Sequence, residues 1–275
     1  MENCREVWYD KDAKVVVTIV DVTSAAQELA RGHLAGPTSA HYLARALASV
    51  ALLGEEMSEK DETVIVQMKC KGPLGGLAVE CTADGSLRGY TEKKVLDDFD
   101  GMGVPDDRKV IGECQFQVTR SVPGKILSQG ISSSLDGYLA GSLQRKACMR
   151  SEVAVSDDVE MLTARGLMVE ILPDSKFGKR DANETDGDPL LKLLDPKNPV
   201  RLAVASRSIL KRLGLGNAEL RKTTPLRFGC RCSPDRALAM LSALSDEERK
   251  TLPPRIDITC HMCGRTFTVP TGNNC

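Results

Sequence analysis

The chain has 275 residues, 41% of them hydrophobic and 27% charged, with a formal net charge of −1 at neutral pH. These proportions exclude disordered and collagen-like classes, and no apolar run reaches the 18 residues of a membrane span. The length suits one large domain or two unequal ones, and two are expected.

In chain order, KVVVTIVDV (14–22) is rich in β-branched residues and predicts a buried strand. Ser24 and Gln27 have the spacing of a capping box opening a short helix that stops at Gly32. A longer helix follows from Pro37 to Met57. Leu43, Leu47, Val50 and Gly54 recur there at three- and four-residue spacing, and Ala40, Ala44, Ala48 and Ala51 allow close packing. TVIVQMKC (63–70), the turn KGPLGG and LAVECT (77–82) predict a hairpin, closed by ADGS and LRGY. Leu77, Val79 and Cys81 share one face, opposite Ala78, Glu80 and Thr82, which makes Cys81 a small core residue. CQFQVTR (114–120) alternates in the same way, so Cys114 has the same reading. SLDGYLAGSLQRKACM (134–149) reads as a helix and GLMVEILP (166–173) as a strand ended by Pro173. The expected class is α+β, a mixed body with antiparallel strands over residues 1–173.

Residues 174–188 are polar and glycine-containing and mark a boundary or surface loop. Beyond them, residues 189–216 form two amphipathic helical pieces split by DPKNP. Their apolar faces need a partner, so 174–225 is expected to be a helical linker resting on the body. Residues 226–275 carry 7 basic and 5 acidic side chains, too weak a balance for a nucleic-acid surface. Residues 1–172 are acidic, with 19 basic and 26 acidic side chains.

The tail carries two close cysteine pairs, Cys230 and Cys232 in GCRCSP and Cys260 and Cys263 in TCHMCG. In an extended segment Cys230 and Cys232 project from the same face. A CxxC turn at the corner of a hairpin between RIDIT and RTFTV aims Cys260 and Cys263 inward. Four thiolates in a CxCx27CxxC pattern predict one tetrahedral zinc ion. His261, inside the CxxC turn, is left outside this complete set, either supporting a ligand or facing solvent. No position remains open for a catalytic water, which argues against hydrolase chemistry. Ser233 is placed to cap a helix beginning at Pro234, and Ser245 with Glu248 to form a capping box. With fewer than 50 residues and few large apolar side chains, this module is expected to need its metal to fold.

Ten cysteines without an apolar N-terminal signal segment point to a reducing compartment, the cytoplasm, or an organelle after removal of a presequence. The residues alone leave a structural zinc ribbon and an oxidant-sensitive switch both open, because metal-bound thiolates are also oxidisable. A constitutive ribbon binding nucleic acid or a protein partner is one rival. A thiol oxidoreductase using Cys260 and Cys263 is another, although its CxxC belongs at the start of a helix.

At this point the chain resembles the heat shock protein 33 family of redox-regulated chaperones. The resemblance rests on GCRCSPDRALAML and ITCHMCG in the tail, on GPLGGLAVE and GSLRGY in the body, and on GLMVEILP where the body ends. Where that family usually shows Ser-Glu-Gln, this chain has Ser142, Leu143 and Gln144. The resemblance implies a holdase without catalytic activity, zinc-bound and quiescent when reduced. It further implies disulfides Cys230–Cys232 and Cys260–Cys263 on oxidation, loss of zinc, unfolding of the linker and tail, binding of unfolded client proteins, and a homodimer. No nucleic-acid or membrane partner is expected, and without a GxxxxGK[ST] loop the activity is expected to be ATP-independent.

Overall fold

The run of β-branched residues at Val15–Asp21 forms the middle strand of a five-stranded sheet in this computed structural model, which describes residues 3–175 and 201–271. In chain order the strands are β1 (Cys4–Asp10), β2 (Val15–Asp21), β3 (Thr63–Cys70), β4 (Gly76–Thr82), β5 (Ser86–Thr91), β6 (Cys114–Val122), β7 (Lys125–Ser132), β8 (Ala147–Val155), β9 (Met161–Ile171), β10 (Glu219–Pro225), β11 (Arg227–Phe228), β12 (Arg255–Thr259) and β13 (Thr266–Pro270). The helices are α1 (Thr23–His33), α2 (Pro37–Leu53), α3 (Asp107–Val110), α4 (Leu135–Gly141), α5 (Ser206–Arg212), α6 (Pro234–Ser242) and α7 (Asp246–Lys250).

Two sheets make the body, in the orders β10-β1-β2-β9-β8 and β11-β5-β4-β3-β6-β7. All of their pairings are antiparallel except β11 with β5. Between the sheets runs α2, whose small-residue faces Ala40, Ala44, Ala48 and Ala51 are fully buried with Leu43, Leu47 and Val50. One core joins α1 and α2 to Val64, Val66, Val79 and Val118 of one sheet and Ala164 and Met168 of the other. The other face of the five-stranded sheet, Trp8, Val15, Val17, Ile19, Leu167 and Val169, is covered by Leu202, Ile209, Leu210, Leu213 and Leu215. The amphipathic stretch thus supplies a short helix, α5, that roofs the sheet. The first helical piece expected before DPKNP lies outside the described residues.

Several local expectations are corrected. Ser24 does not cap α1, which begins at Thr23 with Val22 in the cap position and no side-chain bond from that residue. The Asp21 carboxylate instead accepts from the Thr23 amide at 3.1 Å and hydroxyl at 2.7 Å. Gln27 turns away to β9, donating to the Val159 carbonyl at 3.0 Å and accepting from the Met161 amide at 2.6 Å. The helix expected over 134–149 stops at Gly141, because Ala147, Cys148 and Met149 pair with Glu170, Val169 and Met168 in a β-ladder. Cross-strand hydrogen bonding there overrides a helical pattern that had no second face to bury. LRGY is a strand, not a closing turn, and residues 219–225 are a strand added to β1, not a helix.

Candidate metal centre

Each cysteine pair is delivered by a short strand. Arg227 and Phe228 pair in parallel with Ser86 and Leu87, and the Gly229 amide donates to the Leu87 carbonyl at 3.0 Å, so the chain is still extended as it reaches Cys230. Past Cys232, the Ser233 hydroxyl accepts from the Arg236 amide at 3.2 Å and α6 begins at Pro234. Ser245 and Glu248 form the expected capping box of α7. The second pair sits at the corner of the β12–β13 hairpin. There the Cys260 amide donates to the Arg265 carbonyl at 2.8 Å and the Gly264 amide to the Cys260 carbonyl at 2.9 Å. Gly264 takes a φ of +73°, which the tight knuckle needs and a side chain would resist.

The four Sγ atoms lie within 4.8 Å of one another. Two of these approaches run between the pairs, 3.8 Å from Cys230 to Cys260 and 3.5 Å from Cys232 to Cys263. Four sulfurs held about 2.3 Å from a central ion form a tetrahedron with edges of about 3.8 Å, so this donor set fits a tetrahedral thiolate metal. His261 is not among the converging groups; its ring packs edge-on against Tyr90, with centroids 3.8 Å apart. Burial raises the thiols of Cys232 and Cys263. Burial also pushes Cys230 up, but hydrogen bonds from the Cys232 amide and the Arg88 guanidinium outweigh it and bring the thiol to about 7.

That guanidinium belongs to a charge network that sequence reasoning missed. Arg88 Nη1 lies 3.8 Å from Cys230 Sγ, while Nη2 donates to Glu80 Oε2 at 2.6 Å. Arg231 donates to Glu80 Oε1, also at 2.6 Å. Alternation aims the two sulfurs of the CxC one way and the intervening arginine the other, toward β4. The strand alternation places Glu80 only on the face opposite Leu77, Val79 and Cys81; β4 is covered on both faces, and Glu80 is 3% exposed. The GSLRGY stretch held the only sequence signal for Arg88.

The knuckle also docks on the backbone of the body. The Gly89 amide donates to the Met262 carbonyl at 3.0 Å, and His33 Nε2 donates to the Gly89 carbonyl at 2.8 Å. Cys263 is buried within the main core, and Cys230, Cys232 and Cys260 pack against it. A β-carbon on Gly32, at the end of α1, would stand 2.7 Å from the Cys263 carbonyl oxygen, so the fit admits only glycine there. Cys81 is fully buried, as its face predicted. Cys4, Cys70, Cys114 and Cys148 lie elsewhere in the two body sheets, and Cys275 is outside the described residues. No described helix is long and apolar enough to cross a membrane.

Comparison with known proteins gives one consistent family. The solved structure of a 33 kDa chaperonin (heat shock protein 33 homolog) from Thermotoga maritima superposes with a TM-score of 0.83. It covers 98% of this chain and 96% of its own at 19% identity, a likeness of fold. The 33 kDa chaperonin of Thermus thermophilus is 28% identical over 91% of this chain and 79% of its own. That of a Geobacillus species is 26% identical over 93% and 90%. The family model described as Hsp33 protein matches residues 7–270. With its α+β fold, its clustered cysteines and that match, the chain belongs to the Hsp33 family of chaperones.

Proposed function

We propose that the protein is an ATP-independent holdase chaperone switched by oxidation of Cys230, Cys232, Cys260 and Cys263. Residues 1–173 would be the chaperone body, 174–225 the linker and 226–275 the redox-switch domain. The observation that carries the reading is that one cluster of four sulfurs is built from two separate tail segments and rests directly on the body core. When bound, zinc would hold the four thiols as thiolates and tie the two segments together.

The tail has only a small apolar core of its own. Its own core consists of Ala237, Leu241 and Val269, with Leu238, Leu244, Leu252, Ile256, Ile258 and Phe267 only partly buried around them. A module this small depends on its ligand set for folding. Oxidation joins Cys230 Sγ to Cys232 Sγ and Cys260 Sγ to Cys263 Sγ; each pair of thiolates gives two electrons to one peroxide, which takes two protons from solvent and leaves as two waters, and the ion loses its ligands. The pairing follows the family, since the four sulfurs are too close together for distance to choose it.

With the ligands spent, the tail loses its tie to β5 and α1, and the segment through α5 and β10 loses its anchor. Trp8, Val15, Val17 and Ile19 then lose their cover, an apolar sheet face of the kind that captures unfolding chains. The partners are therefore unfolded or partly folded client proteins, with a homodimer in the oxidised state, in a reducing compartment such as the cytoplasm. Suppression of aggregation of a heat-unfolded client, measured before and after peroxide with warming, tests this: activity should appear only after oxidation.

A further inference from the structure

A second dithiol lies in the body. Cys70 ends β3 and Cys114 opens β6, and the two stand directly opposite each other in the antiparallel ladder. One residue on, the Lys71 amide donates to the Glu113 carbonyl at 2.9 Å, which makes Lys71 and Glu113 a hydrogen-bonded pair. Cys70 sends its own amide the other way, to the Gly75 carbonyl at 3.1 Å. Cys70 and Cys114 are therefore a non-hydrogen-bonded pair, the class in which opposed Cα atoms approach to about 4.5 Å with side chains together on one face. Disulfides span Cα separations of about 4.4–6.8 Å, so this register suits the bond; the Cys114 thiol, which donates to the Ser133 carbonyl at 3.8 Å, would turn from it to meet Cys70. Both thiols are half-buried against the same apolar cluster, which includes Tyr42, Met68 and Leu77.

We propose that Cys70 and Cys114 form a reversible cross-strand disulfide when the protein meets hydrogen peroxide. The two thiols lose two electrons and two protons, one S–S bond forms, and one peroxide is reduced to two waters. The bond closes a loop that contains β4 and β5, the strands bearing Glu80, Arg88 and Gly89. It therefore staples the platform on which the tail rests, and keeps that platform folded after the tail has left. Burial raises both thiols above their ordinary range, which keeps the pair reduced until peroxide exposure is sustained. Formation of this bond needs nothing from the tail and is tested separately from the proposed switch.

The test is differential thiol labelling of the full-length reduced, zinc-loaded protein before and after peroxide at elevated temperature, with peptide mapping by mass spectrometry. The expected result is a Cys70–Cys114 linked peptide lighter by two hydrogens. Reductant should reverse it, and Cys70→Ser should abolish it while leaving Cys114 alkylatable. The body of the oxidised parent should also melt about 5 °C or more above that of oxidised Cys70→Ser. Free Cys70 and Cys114 beside oxidised tail cysteines, or either residue linked to some other thiol, overturns the inference and leaves the tail switch untouched. The linked peptide beside unoxidised tail cysteines upholds the inference and removes the switch.

Discussion

Arg231, the residue between the first two clustered cysteines, donates to Glu80 of β4 at 2.6 Å, with Glu80 buried and the arginine side chain 53% exposed. One extended segment thus sends its sulfurs into the four-cysteine cluster and its charge into the body. The two ends of this ion pair should respond differently to mutation. Arg231→Ala should cost about 0.5–1 kcal/mol, since solvent screens the half-exposed guanidinium. Glu80→Gln should cost about 2–4 kcal/mol, because it also strands Arg88 beside Cys230. Urea denaturation of both single variants and the double variant checks this, and hydrogen exchange over residues 226–271 should report the tail loosening first.

Gly32→Ala should weaken docking without touching a sulfur. Its new methyl would meet the Cys263 carbonyl oxygen and lift the knuckle from the end of α1. The expected outcome is faster proteolysis of the tail and measurable client binding by the reduced protein, with zinc content near that of the parent. Limited proteolysis and a client-aggregation assay run without oxidant supply the check.

Leu210 is fully buried between α5 and the sheet. Leu210→Ala should cost about 2–4 kcal/mol through the lost contacts and the cavity. Because the loss falls on the cover, it should expose Trp8, whose indole Arg207 caps with its guanidinium 4.5 Å from the ring centroid. A red-shifted Trp8 emission at a urea concentration where the parent is unchanged is the expected reading; Trp8 is the only tryptophan in the chain.

His41 gives the body a pH dependence. Burial, helped by the nearby Arg45 cation and opposed by Asp107, lowers its pKa to about 4. The unfolded chain, with a histidine near 6.5, binds the proton first as pH falls, so stability is complete above about pH 6.5 and declines toward pH 4. The loss should be about 1–3 kcal/mol, and His41→Gln should reduce the pH dependence by that amount in denaturation curves at pH 7 and pH 4.5.

Much of the four-cysteine cluster was legible in the sequence because converging thiols recur at short, characteristic spacings. CxCx27CxxC named all four cysteines, and the caps at Ser233 and Ser245 fixed the helices between them. The long helix and the β3–β4 hairpin were legible for a similar reason, since their apolar residues repeat at the period of the element. Other features were set by partners distant in sequence. Strand alternation gives Glu80 a face but not the Arg88 and Arg231 that close over it. Residues 147–149 kept a helical pattern but were taken by β9, and Gln27 left its own helix to satisfy Met161. The register that places Cys70 opposite Cys114 depends on which strand becomes the neighbour of β3, which local pattern does not specify.

The most direct test of the central claim is a paired determination of bound zinc and client protection on the same sample, before and after warm peroxide. The account predicts one zinc ion per chain and no protection at first, then loss of the zinc together with the onset of protection. Equal protection in both conditions, or protection that appears in the unmutated protein while its zinc stays bound and its tail stays docked, would contradict it.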